Sequence, residues 1–154
     1  MDIQIDTREK KWELARIQRQ LTASGANTFL SKLYVGDYLS LDNPRVVIDR
    51  KKDLLEVCSN VCQQHERFQR ELCRARDAGI HIIFLVEHGD DVKNINDVYN
   101  WKNPRLKKSP KATTGKSLCK TLKTISERYG VEFEFCDKDE TGEKIIKLLS
   151  DERG

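Results

Sequence analysis

The chain has 154 residues, with 28 lysines and arginines against 25 aspartates and glutamates and a formal net charge of +3. This length predicts one domain over 1–154 and argues against a fused multidomain machine. The longest apolar run, Ile82–Val86, is far short of the ~20 residues that span a bilayer, and the opening residues read as a strand rather than a leader, so neither membrane insertion nor secretion is expected.

Ile3 and Ile5 alternate with polar neighbours and predict a strand over 2–6. A helix follows from Arg8 to Leu21, stopped by Ser24-Gly25. Over 28–41, Phe29, Leu33, Val35, Leu39 and Leu41 share one parity, which predicts a long strand or a hairpin bent at Gly36. Asn43-Pro44 turns the chain into a short strand, Val46–Lys51. A single long helix is predicted from Asp53 to about Ala78, its stripe formed by Leu54, Cys58, Val61, His65, Phe68, Leu72 and Ala75. Ile82–Glu87 is the most apolar strand and is expected in the middle of a sheet. Residues 89–115 read as loop with a helical stretch near Ile95–Trp101. Then come a helix (Ser117–Tyr129), a strand (Val131–Cys136) and a final helix (Glu140–Ser150). This order predicts an α/β fold, a mixed β-sheet flanked by helices.

The five cysteines form an odd set without a short-spaced framework, as expected of reduced thiols. Cys58, Cys62 and His65 lie on or beside one apolar helix stripe and lack a fourth ligand, which favours a structural role over zinc. Thr114-Gly115-Lys116-Ser117 imitates the end of a P-loop. Pro110 stands where that motif needs glycine, and no strand leads in, so no nucleotide cofactor is expected. Thr114 or Ser117 instead suits a helix cap.

The modest net charge hides an uneven distribution. Residues 1–97 carry 15 basic and 16 acidic side chains, and residues 127–154 carry five and nine. Between them, 98–126 carries eight basic residues and no acidic one: Lys102, Arg105, Lys107, Lys108, Lys111, Lys116, Lys120 and Lys123. Such density favours a phosphate backbone, so DNA is the expected partner. Arg67, Arg70 and Arg74 share one side of the long helix and either extend that contact or pair with Glu66 and Glu71. Trp101 is read as a packing anchor before a base-stacking residue, and His88 as a surface imidazole.

Three carboxylates stand where apolar strands make them costly. Asp37 shares the parity of Leu33, Val35 and Leu39. Asp49 follows Val46-Val47-Ile48, with Lys51 on the same strand face, and Asp6 ends the first strand. Burying such groups unpaired costs several kcal/mol, so the cluster suggests a cation. Oxygen ligands of this kind suit magnesium, with manganese as a substitute. Lys51 is then placed to orient an attacking water or assist its deprotonation.

The spacing Asp37-x11-Asp49-x-Lys51 is similar to that of the PD-(D/E)XK nucleases. Ile5-Asp6-Thr7-Arg8-Glu9, then Val35-Gly36-Asp37-Tyr38, then Val47-Ile48-Asp49-Arg50-Lys51 resemble the V-D-x-R-E, V-G-D-Y and E-R-K-x-x-x-D motifs of XPF-type structure-specific endonuclease domains. The resemblance runs on to Ile82–Glu87, and Gln64–Arg76 and Tyr129–Cys136 are similar to the short stand-alone forms of bacteria and phages. It implies a restriction-endonuclease-like core over about 1–90, with the basic loop and an α-β-α extension over 91–154. It also implies magnesium-dependent hydrolysis of phosphodiester bonds in branched DNA, carried out by a homodimer in a bacterial or phage-infected cytoplasm. By this resemblance Asp37 and Asp49 bind metal with support from Asp6, Lys51 is the catalytic lysine, Arg50 clamps phosphate, and Arg8 and Glu9 hold the site together. Lys102, Arg105, Lys107, Lys108, Lys111 and Lys116 would hold DNA. Two positions depart from the pattern: Asp49 replaces the usual glutamate, and Asp53 comes two residues earlier than the trailing aspartate. Asp53 reads equally as a helix N-cap. Ile145, Ile146, Leu148 and Leu149 offer either a dimer surface or core packing. A non-catalytic DNA-binding partner domain of a nuclease complex is the alternative function.

Overall fold

The computed structural model describes residues 1–89 and 91–151, so the far end of the expected 91–154 extension lies outside the described residues. Six strands form one mixed sheet in the order β2-β1-β3-β4-β5-β6. They are β1 (Asp2–Ile5), β2 (Asn27–Leu30), β3 (Tyr38–Ser40), β4 (Asn43–Lys51), β5 (His81–Glu87) and β6 (Glu132–Cys136). β1 runs parallel to β2 and antiparallel to β3, while β4, β5 and β6 are mutually parallel neighbours. The antiparallel β3–β4 pair joins the two halves.

Helices cover both faces. α1 (Lys11–Ala23) and α5 (Thr141–Ser150) bury Ile17, Leu21, Ile145, Leu148 and Leu149 against Ile3, Ile5, Ile48, Ile83 and Leu85. On the other face, α2 (Leu54–Cys58), α3 (His65–Asp77) and α4 (Gly115–Tyr129) pack on Val47, Ile82, Phe84, Val86 and Phe133. β5 therefore feeds both layers: its odd residues face α1 and α5, its even ones the other helices. Phe84 is fully buried, with Phe68 and Phe133 at ring-centroid distances of 5.3 and 5.0 Å. Losing such a ring typically costs ~3–5 kcal/mol.

Two expectations are corrected. Residues 28–41 are neither one strand nor a hairpin, because β1 lies between β2 and β3. Alternation reports which face a residue occupies but not which strand it neighbours. The segment between them crosses the end of β1, with the Ser31 N–H donating to the Ile5 carbonyl at 3.0 Å. The single long helix is also broken: a π-helical turn, Ser59–Gln63, separates α2 from α3. The stripe survives the break, with Leu54, Cys58, Val61, Phe68, Leu72 and Ala75 buried, but His65 just after the turn is exposed and Val57 joins the buried set.

The basic segment comprises short 3-10 turns, Ile95–Asn100 and Pro104–Lys107, and the first part of α4, with the Ile95–Asn100 turn seated on that helix. Gly115 makes that seating possible, since a Cβ there would lie 2.3 Å from the Trp101 carbonyl oxygen. Trp101 is buried and anchors the loop, with His88 edge-on to its ring at 6.4 Å. His88 is half-buried and reaches Asp91 at 3.3 Å, so it is not the free surface imidazole expected. Thr114 caps α4 by accepting the Ser117 N–H at 3.1 Å. All five cysteines are free thiols. No helix among the described residues is long and apolar enough to cross a membrane.

Candidate active site

Asp37 sits in the turn that leads into β3, where three strands meet. Its N–H donates to the Ile48 carbonyl at 2.8 Å, and its own carbonyl accepts the Asp6 N–H at 2.8 Å. Gly36 shapes this turn. Its φ of +79° is left-handed, and a Cβ there would lie 2.9 Å from Val47 Cγ2. Glycine alone meets both demands, and the turn aims the Asp37 carboxylate at β4, where Oδ2 accepts the Arg50 N–H at 2.7 Å.

Alternation along β4 then sorts the residues of the third motif. Asp49 and Lys51 point to the α3 side, with Lys51 Nζ 3.2 Å from Asp49 Oδ1 and 5.7 Å from the Phe84 ring centroid. Arg50 points to the α1 side. Its Nε and Nη2 donate to Glu9 at 3.1 and 2.8 Å, and Nη1 donates to Glu87 Oε1 at 2.6 Å. The guanidinium is only 6% exposed and its ionic partners are internal, which does not fit a phosphate clamp. Arg50 instead fixes the strand whose N–H holds Asp37.

Asp6 is held by internal partners as well. Its Oδ2 accepts from the Arg8 Nε at 2.7 Å, and its Oδ1 accepts the Leu33 N–H at 2.8 Å. Burial pushes its carboxyl pKa up, but the Arg8 side chain and the Leu33 and Arg8 N–H groups outweigh that and hold it below the usual carboxylate range. Both oxygens are engaged, so Asp6 pins the crossing segment, and it does so from the lining of the cleft that Asp37 and Asp49 share. Arg8 serves that pin, while Glu9 accepts from Arg50 and from the Tyr38 hydroxyl at 2.8 Å. Asp53 caps α2 by accepting the Glu56 N–H at 2.8 Å.

Asp37, Asp49 and Lys51 open together into a cleft of about 950 Å³. Glu71 of α3 lines it too, and no motif flags this residue. Burial, then the Asp49 charge and a hydrogen bond to Asp49, push the Glu71 pKa up to about 7. Asp37 is raised well above its ordinary value by burial first, then by the charges of Asp49 and Glu9. Crowded carboxylates of this kind repel one another, and a cation would relieve them. Among the described residues, no three acidic, histidine or cysteine side chains are gathered closely enough to enclose a metal ion between them. Two carboxylates do suit magnesium, which keeps several waters and commonly takes one or two protein carboxylates plus phosphate oxygens. The donor chemistry of Asp37 and Asp49 fits.

The cleft is rimmed by cations from several elements: Arg8, Lys10, Lys52, Arg67, Arg70 and Arg74. The three α3 arginines are exposed, and no ion pair joins them to Glu66 or Glu71 among the described residues. None of the eight basic residues of 98–126 lines this cleft, although all eight are exposed. Arg105 and Lys111 border a separate hollow of about 290 Å³ with Leu55, Cys58 and Cys62, on another side of α2. The set Ile145, Leu148 and Leu149 is buried in the core and Ile146 packs against it, so it is not a dimer surface.

Glu87 is the second residue missed by motif reading. It ends an apolar strand fully buried, paired with Arg50 and with Arg16 at 2.7 Å, and it accepts the Thr141 hydroxyl. Its only signal in sequence is a charge closing a five-residue apolar run. Its partners come from β4, α1 and α5, elements far apart along the chain.

No curated protein matches the chain in sequence. Among solved structures, XPF from Aeropyrum pernix superposes with a TM-score of 0.69 at 19% identity, covering 97% of this chain and 63% of that one. XPF from Aeropyrum pernix in complex with DNA gives 0.68 at 19% identity, covering 96% and 62%. The chain thus spans less than two thirds of the length of these structures, and the likeness is one of fold. In sequence, residues 5–148 match the ERCC4 domain, a span that begins at the first motif and reaches through α4 and β6 into α5. The chain therefore belongs to the ERCC4 domain family, an XPF-type nuclease domain.

Proposed function

We propose that this protein is a metal-dependent DNA endonuclease that hydrolyses phosphodiester bonds in branched DNA such as a flap, fork or four-way junction. The observation that carries the reading is the convergence of Asp37, Asp49 and Lys51 at the floor of one cation-rimmed cleft. That XPF from Aeropyrum pernix has been solved in complex with DNA supports the choice of polymer.

Asp37 and Asp49 would hold magnesium, or manganese in its place. The bound ion supplies Lewis acidity toward phosphate and lowers the pKa of water. Lys51 is held against Asp49 and is placed to orient the attacking water or steady charge on the phosphate oxygens. The Arg50 N–H fixes one oxygen of Asp37, so the ligand is oriented before substrate arrives. Arg67 and Arg70 offer phosphate contacts from the rim, and the exposed 98–126 segment offers more on a neighbouring surface. A pair of chains would suit cleavage of two strands, with contacts other than the buried α5 set.

The test is cleavage of labelled flap, fork, four-way-junction and linear duplex DNA, with and without magnesium. Wild type is expected to cut branched DNA only with metal, and Asp49→Asn and Lys51→Ala should each lose about 10²-fold or more. Binding without cutting under any metal would leave a DNA-binding partner domain instead. Equal cutting by wild type and Asp49→Asn would remove the site.

A further inference from the structure

Tyr34 is one of the few large aromatic side chains that the fold leaves in water, at 60% exposure. It belongs to the segment that crosses the end of β1, between the Leu33 N–H pinned by Asp6 and the Gly36 turn that presents Asp37. The backbone on both sides is therefore fixed. The side chain is braced as well: the Arg74 guanidinium lies 4.5 Å from the ring centroid, and Arg74 Nη2 donates to the Tyr34 carbonyl at 2.6 Å. A ring stacked by a guanidinium presents a rigid apolar face with positive charge behind it. Both residues line the same cleft as Asp37, Asp49 and Lys51, and Arg70 lies one helical turn before Arg74 on the same rim.

Exposed apolar surface of this size at the mouth of a charged cleft calls for a ligand that is both flat and anionic. An unpaired nucleotide is such a ligand. Its base offers a free π-face of the kind that stacks on tyrosine, and its phosphate suits an arginine beside it. A base inside a duplex offers neither face. Duplex alone would gain from the arginines and nothing from the ring.

We propose that Tyr34, braced by Arg74, is a stacking platform for an unpaired nucleobase next to the scissile phosphate, so that the cleft selects DNA with a single-stranded branch. This rests on the nuclease reading above and adds to it the feature of the substrate that is recognised. Tyr34 is a binding and specificity residue here, not a catalytic one.

The test uses the full chain carrying Asp49→Asn, so that binding is measured without cutting. The probes are a forked duplex with 2-aminopurine as the first unpaired base, and a fully paired duplex of the same length. Binding is followed by anisotropy, and stacking by 2-aminopurine fluorescence. Adding Tyr34→Ala should weaken fork binding roughly tenfold, abolish the fluorescence change, and leave duplex binding within about twofold. Tyr34→Trp should restore both fork affinity and the fluorescence change. Arg74→Ala should lower both, since it removes the brace while leaving the ring. Circular dichroism checks that each variant is folded, as expected for exposed positions. If Tyr34→Ala binds fork as tightly as its parent with the same fluorescence change, the platform is refuted while the nuclease reading stands. An equal loss on fork and duplex would refute selection for an unpaired base. Absence of any DNA binding by the parent, together with absence of cutting by wild type, would overturn both readings.

Discussion

Arg50 Nη1 lies 2.6 Å from Glu87 Oε1, and the two side chains are 6% and 0% exposed. This pair ties β4 to β5 on the sheet face opposite Asp49 and Lys51, while the Arg50 N–H holds Asp37 on the strand itself. Glu9 completes the arginine's shell, and Arg16 and Thr141 complete the glutamate's. The catalytic proposal for Asp37 thus depends on ion pairs formed on the other side of the sheet.

Glu87→Gln keeps the shape and removes the charge, leaving Arg16 and Arg50 short of a buried partner. A loss of about 3–5 kcal/mol is expected, from the cost of breaking a buried pair at one end. Urea unfolding followed by circular dichroism measures it. A loss below ~1 kcal/mol would show that the pairing contributes little beyond packing.

Gly36→Ala meets two obstacles, a positive φ and the Val47 side chain. It should destabilise by about 1–3 kcal/mol. Cleavage should fall further than stability implies, because the strain is relieved by moving the turn that carries Asp37. Comparing the melting temperature with the single-turnover rate separates the two effects. Full activity in a folded Gly36→Ala protein would mean that the turn has slack.

Stability of the metal-free protein should pass through a maximum with pH. Asp6 and Glu13 have lowered pKa values, so their contribution is lost as pH falls below the ordinary carboxylate range. Asp37 and Glu71 have raised values, so the folded state holds more protons than the unfolded one between about 4.5 and about 7 for Glu71. Their contribution is greatest below that window and is lost as pH rises through it. The melting temperature without metal should therefore be higher near pH 5 than near pH 8. Magnesium should raise it near pH 8 and do less near pH 5, where Glu71 holds a proton and the raised pKa of Asp37 makes its carboxyl easier to protonate. A melting curve indifferent to magnesium at both pH values would argue against metal at this cleft.

The exposed lysines of 98–126 are expected to act through phosphate alone. Changing Lys107, Lys108 and Lys111 to glutamine should weaken binding to fork and duplex alike. On duplex, the slope of log affinity against log salt should drop by about 0.9 for each lysine that neutralises a phosphate in the wild-type complex. An unchanged slope would take these three residues out of the interface and leave the α3 arginines as the anion-binding surface.

Much of the cleft can be read from the amino-acid order, because its ligands lie close together in the chain. Asp49 and Lys51 share a strand face by the period of two, and Gly36 marks the turn beside Asp37. That same period places Arg50 on the opposite face, a consequence hidden when the third motif is taken as one functional unit. The broken helix is hidden too, because a π-helical turn leaves apolar residues at spacings an uninterrupted helix also tolerates. β2 and β3 look like one element because parity carries no information about the neighbouring strand.

By itself the sequence determined the α/β class, the apolar strand β5, the turn at Gly36 and the pairing of Asp49 with Lys51, since each is set by local periodicity or local sterics. Only the tertiary structure decided that Asp6 and Arg50 are internal fasteners, that Glu71 joins the cleft and that Glu87 anchors β5. It also decided that the cleft's cations come from α3 and other elements while none of the eight charges of 98–126 lines it. These assignments depend on contacts between residues far apart in the chain. Whether a buried charge has a partner is a property of the packed molecule, and no local pattern records it.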